Sequence, residues 1–295
     1  GFARLARLPD FLGAPVAGHS RLFRLFEPEP VARRHFAILA AMLNRSSVAA
    51  RVLHASRALV CSFPLATALG ALPGLVLLAA AHGSSPIGIA AAVIAVLFAV
   101  AGAIVGAAVA AAVSLARLLP AHEFGLVRGH STTGDSTPLT DWLHGYLQDL
   151  AGRPAGAPLT FGDLDGVLLD AATGVRGIDL QMMTTALSLG RPYSLPFESE
   201  QFYFRPDELA RYFPADVVEW MVAHPGERSD ANRVRDDAMQ SFGYRPLPMR
   251  ATLPVIVAVR LSLSFPVLLC AVPLYRYAWE RFDRVQAAGA EAVDE

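Results

Sequence analysis

Hydrophobic positions are distributed unevenly along this chain. Between Arg57 and Arg117 there is no Asp, Glu, Lys or Arg, whereas charged residues recur normally on either side. The uncharged block holds two apolar runs, Leu59–Ala81 and Ile87–Ala116, separated by the helix-breaking turn His82-Gly83-Ser84-Ser85-Pro86. About 20 helical residues cross a bilayer core, so each run is long enough to span. The pattern predicts a two-pass hydrophobic hairpin within residues 58–118, preceded by a basic helical segment at 1–57 and followed by an α/β region at 119–295.

Arg45, Arg51 and Arg57 precede the pair, Arg117 and Arg128 follow it, and the turn carries no cation. The excess of cations on the flanks places both on the cytoplasmic side and the turn outside. Gly102-Ala103-Ile104-Val105-Gly106 forms a small-xxx-small face, which lets two helix backbones approach closely. Pro64 and Pro73 interrupt the first run and alanine crowds the second, which keeps a hairpin packed inside a soluble fold as the competing reading.

Upstream, Gly13, Pro15, Gly18, Pro28 and Pro30 break regular structure. Pro30 suits the first turn of a helix running from Val31 to about Arg57. Phe36, Leu39, Met42, Leu43 and Leu53, interleaved with arginines, fit either a basic amphipathic helix on a membrane or a surface helix packed on its neighbour. Downstream, Thr137-Pro138 reads as a cap followed by the first helical residue. Leu139, Trp142, Leu143, Tyr146, Leu147 and Leu150 trace one helical face, which Gly152 and Pro154 terminate. Thr160-Phe161-Gly162-Asp163 has the form of a capping box.

Ile178–Leu187 reads as a buried strand, Pro206-Asp207-Glu208 as the start of a helix, and His224–Arg245 as an exposed polar excursion. The β-branched run Pro254–Val259 predicts a central strand, with a helix from Arg260 onward. Strands alternating with helices argue for an α/β layer structure.

Composition narrows the chemistry. Hydrophobic residues are 54% and charged residues 17%, against about 25% charged in an ordinary soluble domain, and the excess belongs to the hairpin. The net charge of −1 gives no electrostatic footprint for nucleic acid. All 25 basic residues are Arg, as expected of a GC-rich coding sequence. Cys61 and Cys270 both lie in apolar runs, so two buried free thiols are expected.

The eight histidines show no metal-ligand spacing, and His144 is expected to be a surface or hydrogen-bonded residue. No Gly-x-Ser-x-Gly elbow is present, since Gly129-His130-Ser131 and Gly134-Asp135-Ser136 both lack the second glycine. Asp165-Gly166 has the form of a catalytic Asp-Gly pair, but also of a simple helix end, the reading its position after Thr160 favours.

Four ordered segments resemble bacterial patatin-like phospholipases of the large membrane-associated kind. They are Thr137-Pro138-Leu139-Thr140-Asp141-Trp142-Leu143, Pro158-Leu159-Thr160-Phe161-Gly162-Asp163-Leu164, Met183 to Pro192, and Arg260-Leu261-Ser262-Leu263-Ser264-Phe265-Pro266. The resemblance covers roughly residues 123–275. It implies a three-layer α/β domain, incomplete in this chain and carrying the hairpin as an insertion. It also implies a serine–aspartate dyad that hydrolyses phospholipid or another lipid ester at the cytoplasmic membrane of a bacterium, without metal or organic cofactor.

On the family pattern the nucleophile elbow lies upstream of these segments and the catalytic Asp-Gly turn downstream. The start at Gly1 rather than Met fits an internal fragment, expected to be inactive by itself. Asp165 precedes the Ser262–Pro266 element and stands where the family carries a bulky residue, so it does not match the dyad aspartate. Ser262, Ser264, Pro266, Thr185 and Gly190 are the residues the resemblance places around the site, in shaping rather than catalytic roles. The competing function is a non-catalytic membrane scaffold or lipid-binding protein on the same fold.

Overall fold

The computed structural model describes residues 6–16, 19–43, 47–81, 86–131, 137–154, 156–166, 168–170, 175–199, 201–225, 233–263, 265 and 267–276. The first part is helical: α1 (Leu8–Gly13), a short hairpin β1 (Pro15–Val16) and β2 (His19–Ser20), then α2 (Arg21–Arg24), α3 (Arg33–Leu43), α4 (Val48–Ser62), α5 (Pro64–Ala80) and α6 (Pro86–Ala121). The second part mixes helices and strands. It runs through β3 (Gly125–Val127), α7 (Leu139–Ala151), α8 (Phe161–Asp165), β4 (Leu168–Asp170), β5 (Val175–Arg176), β6 (Met182–Ala186), β7 (Arg191–Leu195) and β8 (Phe202–Phe204). There follow α9 (Pro206–Leu209), α10 (Ala215–Ala223), α11 (Arg233–Ser241), β9 (Arg245–Pro246), α12 (Val255–Ser262), β10 (Val267–Leu269) and β11 (Tyr275–Arg276).

The architecture is α/β in the broad sense, with small sheets set among helices. Strands β3 and β10 pair in parallel, β8 lies between β9 and β11 in an antiparallel sheet, and β4–β5 and β6–β7 are antiparallel hairpins. Two cores result. The larger gathers Phe161, Phe204, Tyr212, Phe213, Met221 and the apolar residues of α12, and the smaller joins Leu25, Phe36, Leu126, Val127 and Leu269. Helix α7 bridges them, packing Leu143 and Leu147 on the first and Leu139 and Trp142 on the second.

The hydrophobic block forms a hairpin whose two arms differ. Helix α6 has 36 residues, about 54 Å at 1.5 Å per residue, and is long and apolar enough to cross a membrane. Ile87, Ile89, Leu97, Phe98 and Val105 are each more than half exposed along it, a surface suited to lipid rather than water. The other arm is not one continuous run from Leu59. The chain bends by 105° between α4 and α5, leaving Leu59–Ser62 on α4. Pro64 sits in the first turn of α5, where its missing N–H breaks no helical bond. Helix α5 has 17 residues, about 25 Å, the short end of what spans a bilayer core.

Glycine sets how closely the arms pack. A Cβ on Gly70 would strike the Gly102 carbonyl, one on Gly102 would strike the Gly70 carbonyl, and Gly74 and Gly106 press on Ala99 and Ala66 backbone atoms. The small-residue face predicted at Gly102 and Gly106 is therefore used, with Gly70 and Gly74 opposing it on α5. Gly102→Leu is expected to pry the arms apart at a cost of about 1–3 kcal/mol or more. A lowered melting temperature in detergent would register this, while Ala101→Leu on the exposed side should change little.

Helix α6 also leaves the hairpin and packs into the rest of the chain. Leu115 and Leu118 pack on the smaller core, and Ser114 Oγ lies 2.8 Å from His35 Nε2 on α3. The second apolar run thus ends inside the domain rather than at a membrane boundary near Ala116.

Other expectations divide. The segment after Pro30 is two helices, α3 and α4, rather than one; Pro30 lies in the turn before α3, and Ser47 caps α4 through the Ala50 N–H. Helix α7 ends on Gly152 at φ 64 as expected, but Pro138 occupies its cap position and no side chain caps it. Thr160 and Asp163 form the reciprocal capping box of α8. Ile178–Leu187 is no buried strand: only Met182–Ala186 is extended, in a hairpin whose Met183 and Thr185 are exposed. Alternation of exposure along it is that of an antiparallel strand with one free face.

Val255–Val259 is the start of helix α12 rather than a strand. A short apolar run buried on all sides has no period to distinguish the two, and here residues 255–258 are buried all round a helix. That helix includes Arg260 but stops at Ser262, so the helix expected to run on from Arg260 ends there and strand β10 follows from Val267. The polar stretch His224–Arg245 contains α11, which buries Arg235 and Asp236 against Tyr203 on β8. Of the two thiols Cys270 is buried, but Cys61 is exposed on α4.

Candidate functional site

The parallel pair β3–β10 is a tightly constrained junction of the α/β part. Helix α6 passes through a three-residue turn directly into β3, and Glu123 and Phe124 take positive φ values of 45° and 59° there. A Cβ on Gly125 would collide with the backbone of Cys270, so this position requires glycine. Val267 pairs with Gly125 and Leu269 with Val127. Beyond the ladder, the Cys270 N–H donates to the Val127 carbonyl at 2.9 Å and the Ala271 N–H to the Glu123 carbonyl at 2.7 Å.

Arg260 on α12 ties the two strand ends together. Its side chain is 2% exposed and donates from Nη2 to the Arg128 carbonyl (3.1 Å) and the Cys270 carbonyl (2.7 Å). Burial pushes its pKa down to about 10, and the same environment pushes the Cys270 thiol up to about 11. The Tyr212 hydroxyl is also raised, chiefly by burial and then by the Glu123 charge.

Ligands of α/β proteins collect at the carboxyl ends of parallel strands. At that end of β3 the chain continues through Gly129 (φ 82°) into His130. His130 Nδ1 lies 2.7 Å from Asp141 Oδ1, and Asp141 Oδ2 accepts from the Ser131 N–H at 3.3 Å. Asp141 stands in the first turn of α7, where the helix dipole favours its charge. A carboxylate held on Nδ1 fixes the ring and leaves Nε2 as the basic nitrogen, the arrangement of an oriented general base. A second pair, His144 Nε2 and Asp216 Oδ2 at 3.0 Å, joins α7 to α10 and accounts for His144 as a hydrogen-bonded residue.

On the opposite flank of β3, His122, Glu123 and Cys270 bring one ligand atom each to within 4.8 Å of one another. Beside them opens a cleft of about 200 Å³ lined by Glu123, Glu208, Arg211, Tyr212, Pro273 and Tyr275. None of these groups is adjacent to a recognisable motif, and sequence spacing could not pair Glu123 with Cys270.

The residues placed by resemblance lie elsewhere. Ser262 is exposed at the end of α12, Thr185 is exposed on β6, and Gly190 sits at φ 62° in the β6–β7 turn with open space around it. Thr184 Oγ1 donates to the Leu261 carbonyl at 2.9 Å, which docks the β6–β7 hairpin against the end of α12. The motifs carrying Thr185 and Ser262 are thus brought together, and neither residue lines the cleft. Ser264 and Pro266 lie outside the described residues. Asp165 is an exposed partner of Arg250, with Nε and Nη2 contacts of 3.0 and 2.8 Å that hold its carboxyl below the usual range.

Over 173 residues the chain is 42% identical to a protein of Rhizobium meliloti (strain 1021) named RpoH suppressor. The match takes in 56% of this chain but 26% of that protein, so the chain spans about a quarter of this relative's length. No family model and no solved structure matches the chain.

Proposed function

We propose that this chain is the membrane-tethered section of a patatin-like serine acyl hydrolase that cleaves phospholipid or another lipid ester on the cytoplasmic side of a bacterial membrane. The reading starts from the four ordered motifs, and one structural observation carries it further. The long apolar helix α6 runs within three residues into β3, so an α/β unit is fixed to a surface suited to lipid. A tether of this kind raises the effective concentration of a site at the bilayer where the substrate is held. Catalysis of this class needs an activated serine, a base, and donors for the developing oxyanion. The proposal assigns the elbow serine and dyad aspartate to polypeptide beyond these 295 residues. Docking of the Thr184 strand on the Ser262 helix end is the framework this chain contributes.

The continuous reading frame around this segment provides the test. A Gly-x-Ser-x-Gly turn upstream, an Asp-Gly-Gly or Asp-Gly-Ala turn downstream, and loss of nitrophenyl-ester turnover when the elbow serine becomes alanine are expected. Uninterrupted flanks without those turns, or turnover unchanged in the alanine variant, would replace the hydrolase with a lipid-binding scaffold.

A further inference from the structure

We propose that His122, Glu123 and Cys270 form a binding site for one zinc-type divalent transition metal ion, independently of any acyl-hydrolase chemistry. One ring nitrogen of His122, one Glu123 carboxylate oxygen and Cys270 Sγ lie within 4.8 Å of one another. Zinc binds nitrogen and oxygen at about 2.0–2.2 Å and sulfur at about 2.3 Å. Side-chain rotations of roughly 1 Å bring the three atoms to that spacing.

His122 Nδ1 and Glu123 Oε2 are both buried without a hydrogen-bond partner. Their charged neighbours stand at longer range, Glu29 at 3.7 Å from His122 and Arg128 at 4.0 Å from Glu123. A buried polar atom calls for a partner, and a bound cation beside these groups would supply one. The donor set sets the kind of ion: a thiol beside an imidazole and a carboxylate selects zinc-like ions over magnesium or calcium.

The backbone holds these ligands before any ion arrives. Glu123 accepts from the Ala271 N–H, Cys270 donates to Val127, and Gly125 lets the Cys270 backbone lie directly on β3. Consecutive positive φ values at Glu123 and Phe124 fold the turn that sets His122 and Glu123 beside Cys270. A thiolate and a carboxylate supply the two negative charges that a divalent ion needs. Three protein ligands leave a fourth position for water, and the cleft bordered by Glu123 and Tyr212 gives solvent a route to it.

The test uses the full chain, purified in detergent, stripped with chelator and titrated with Co²⁺. One equivalent is expected to raise tetrahedral visible bands and a thiolate-to-cobalt charge-transfer band in the near ultraviolet, both removed by Zn²⁺. Cys61→Ser should keep the charge-transfer band and Cys270→Ser should abolish it. His122→Ala and Glu123→Gln should each weaken Co²⁺ binding by about tenfold or more, a loss of at least about 1.4 kcal/mol. Absence of the band, its survival in Cys270→Ser, or its loss in Cys61→Ser would overturn the site. If Cys270→Ser does not fold, unchanged affinity in both His122→Ala and Glu123→Gln overturns it equally.

Discussion

Replacing Val100 and Val105 by arginine is expected to move the protein from the carbonate-resistant membrane fraction to the extractable one. Both side chains lie on the exposed face of α6, at 54% and 60% exposure, midway along the apolar stretch. An arginine at the centre of a spanning helix costs about 2.5–3.5 kcal/mol on the insertion scale. Two together cost about 5–7 kcal/mol, enough to shift partitioning by three to five orders of magnitude. In a soluble hairpin the same positions would face water and tolerate arginine. A variant that folds and fractionates like its parent would therefore remove the bilayer from the account. The effect should not depend on the α/β part.

Arg260→Ala is expected to unfold the soluble part far more readily. The substitution leaves a space the size of a large buried side chain and strips the donor from two carbonyls, those of Arg128 and Cys270. Cavity formation and unsatisfied buried acceptors together cost about 3–5 kcal/mol, which lowers the melting temperature by on the order of 10 °C. Loss of the clamp also frees the Arg128–His130 segment, so protease nicking near Gly129 should rise. An unchanged melting temperature would mean that β3 and β10 are held by their ladder alone.

The hairpin and the capping box at Thr160 could be read directly from the sequence because each rests on local chemistry. Fifty-nine residues without Asp, Glu, Lys or Arg, glycines at fixed spacing, and a Thr with Asp three places on signal themselves without reference to distant contacts. The segment from Val255 could not be read that way. Its residues satisfy a strand or a helix equally, and packing on Phe161, Leu253 and Met221 decided for the helix. The bend at Phe63 was signalled by Pro64, but a proline at a helix start and one at a kink look alike until neighbours are known.

The site was less legible still. His130 was visible only as part of a failed serine elbow, because its partner Asp141 lies across a turn and at the start of α7. Cys270 read as a buried thiol, which it is, while its proximity to His122 and Glu123 comes wholly from the parallel pairing of β10 on β3. Thr185 and Ser262 fall in adjoining elements, which only the Thr184–Leu261 bond makes evident.

Helix α6 is one rod from Pro86 to the threshold of β3, and a rod works as a lever. A change of 10° in its tilt swings an end about 54 Å away by about 9 Å. Tilt is how a long apolar helix adjusts to bilayer thickness. If α6 spans a bilayer as proposed, membrane composition would set the angle at which the loop bearing His130 meets the lipid surface. A thinner bilayer would lay the rod over and press that loop toward the headgroups.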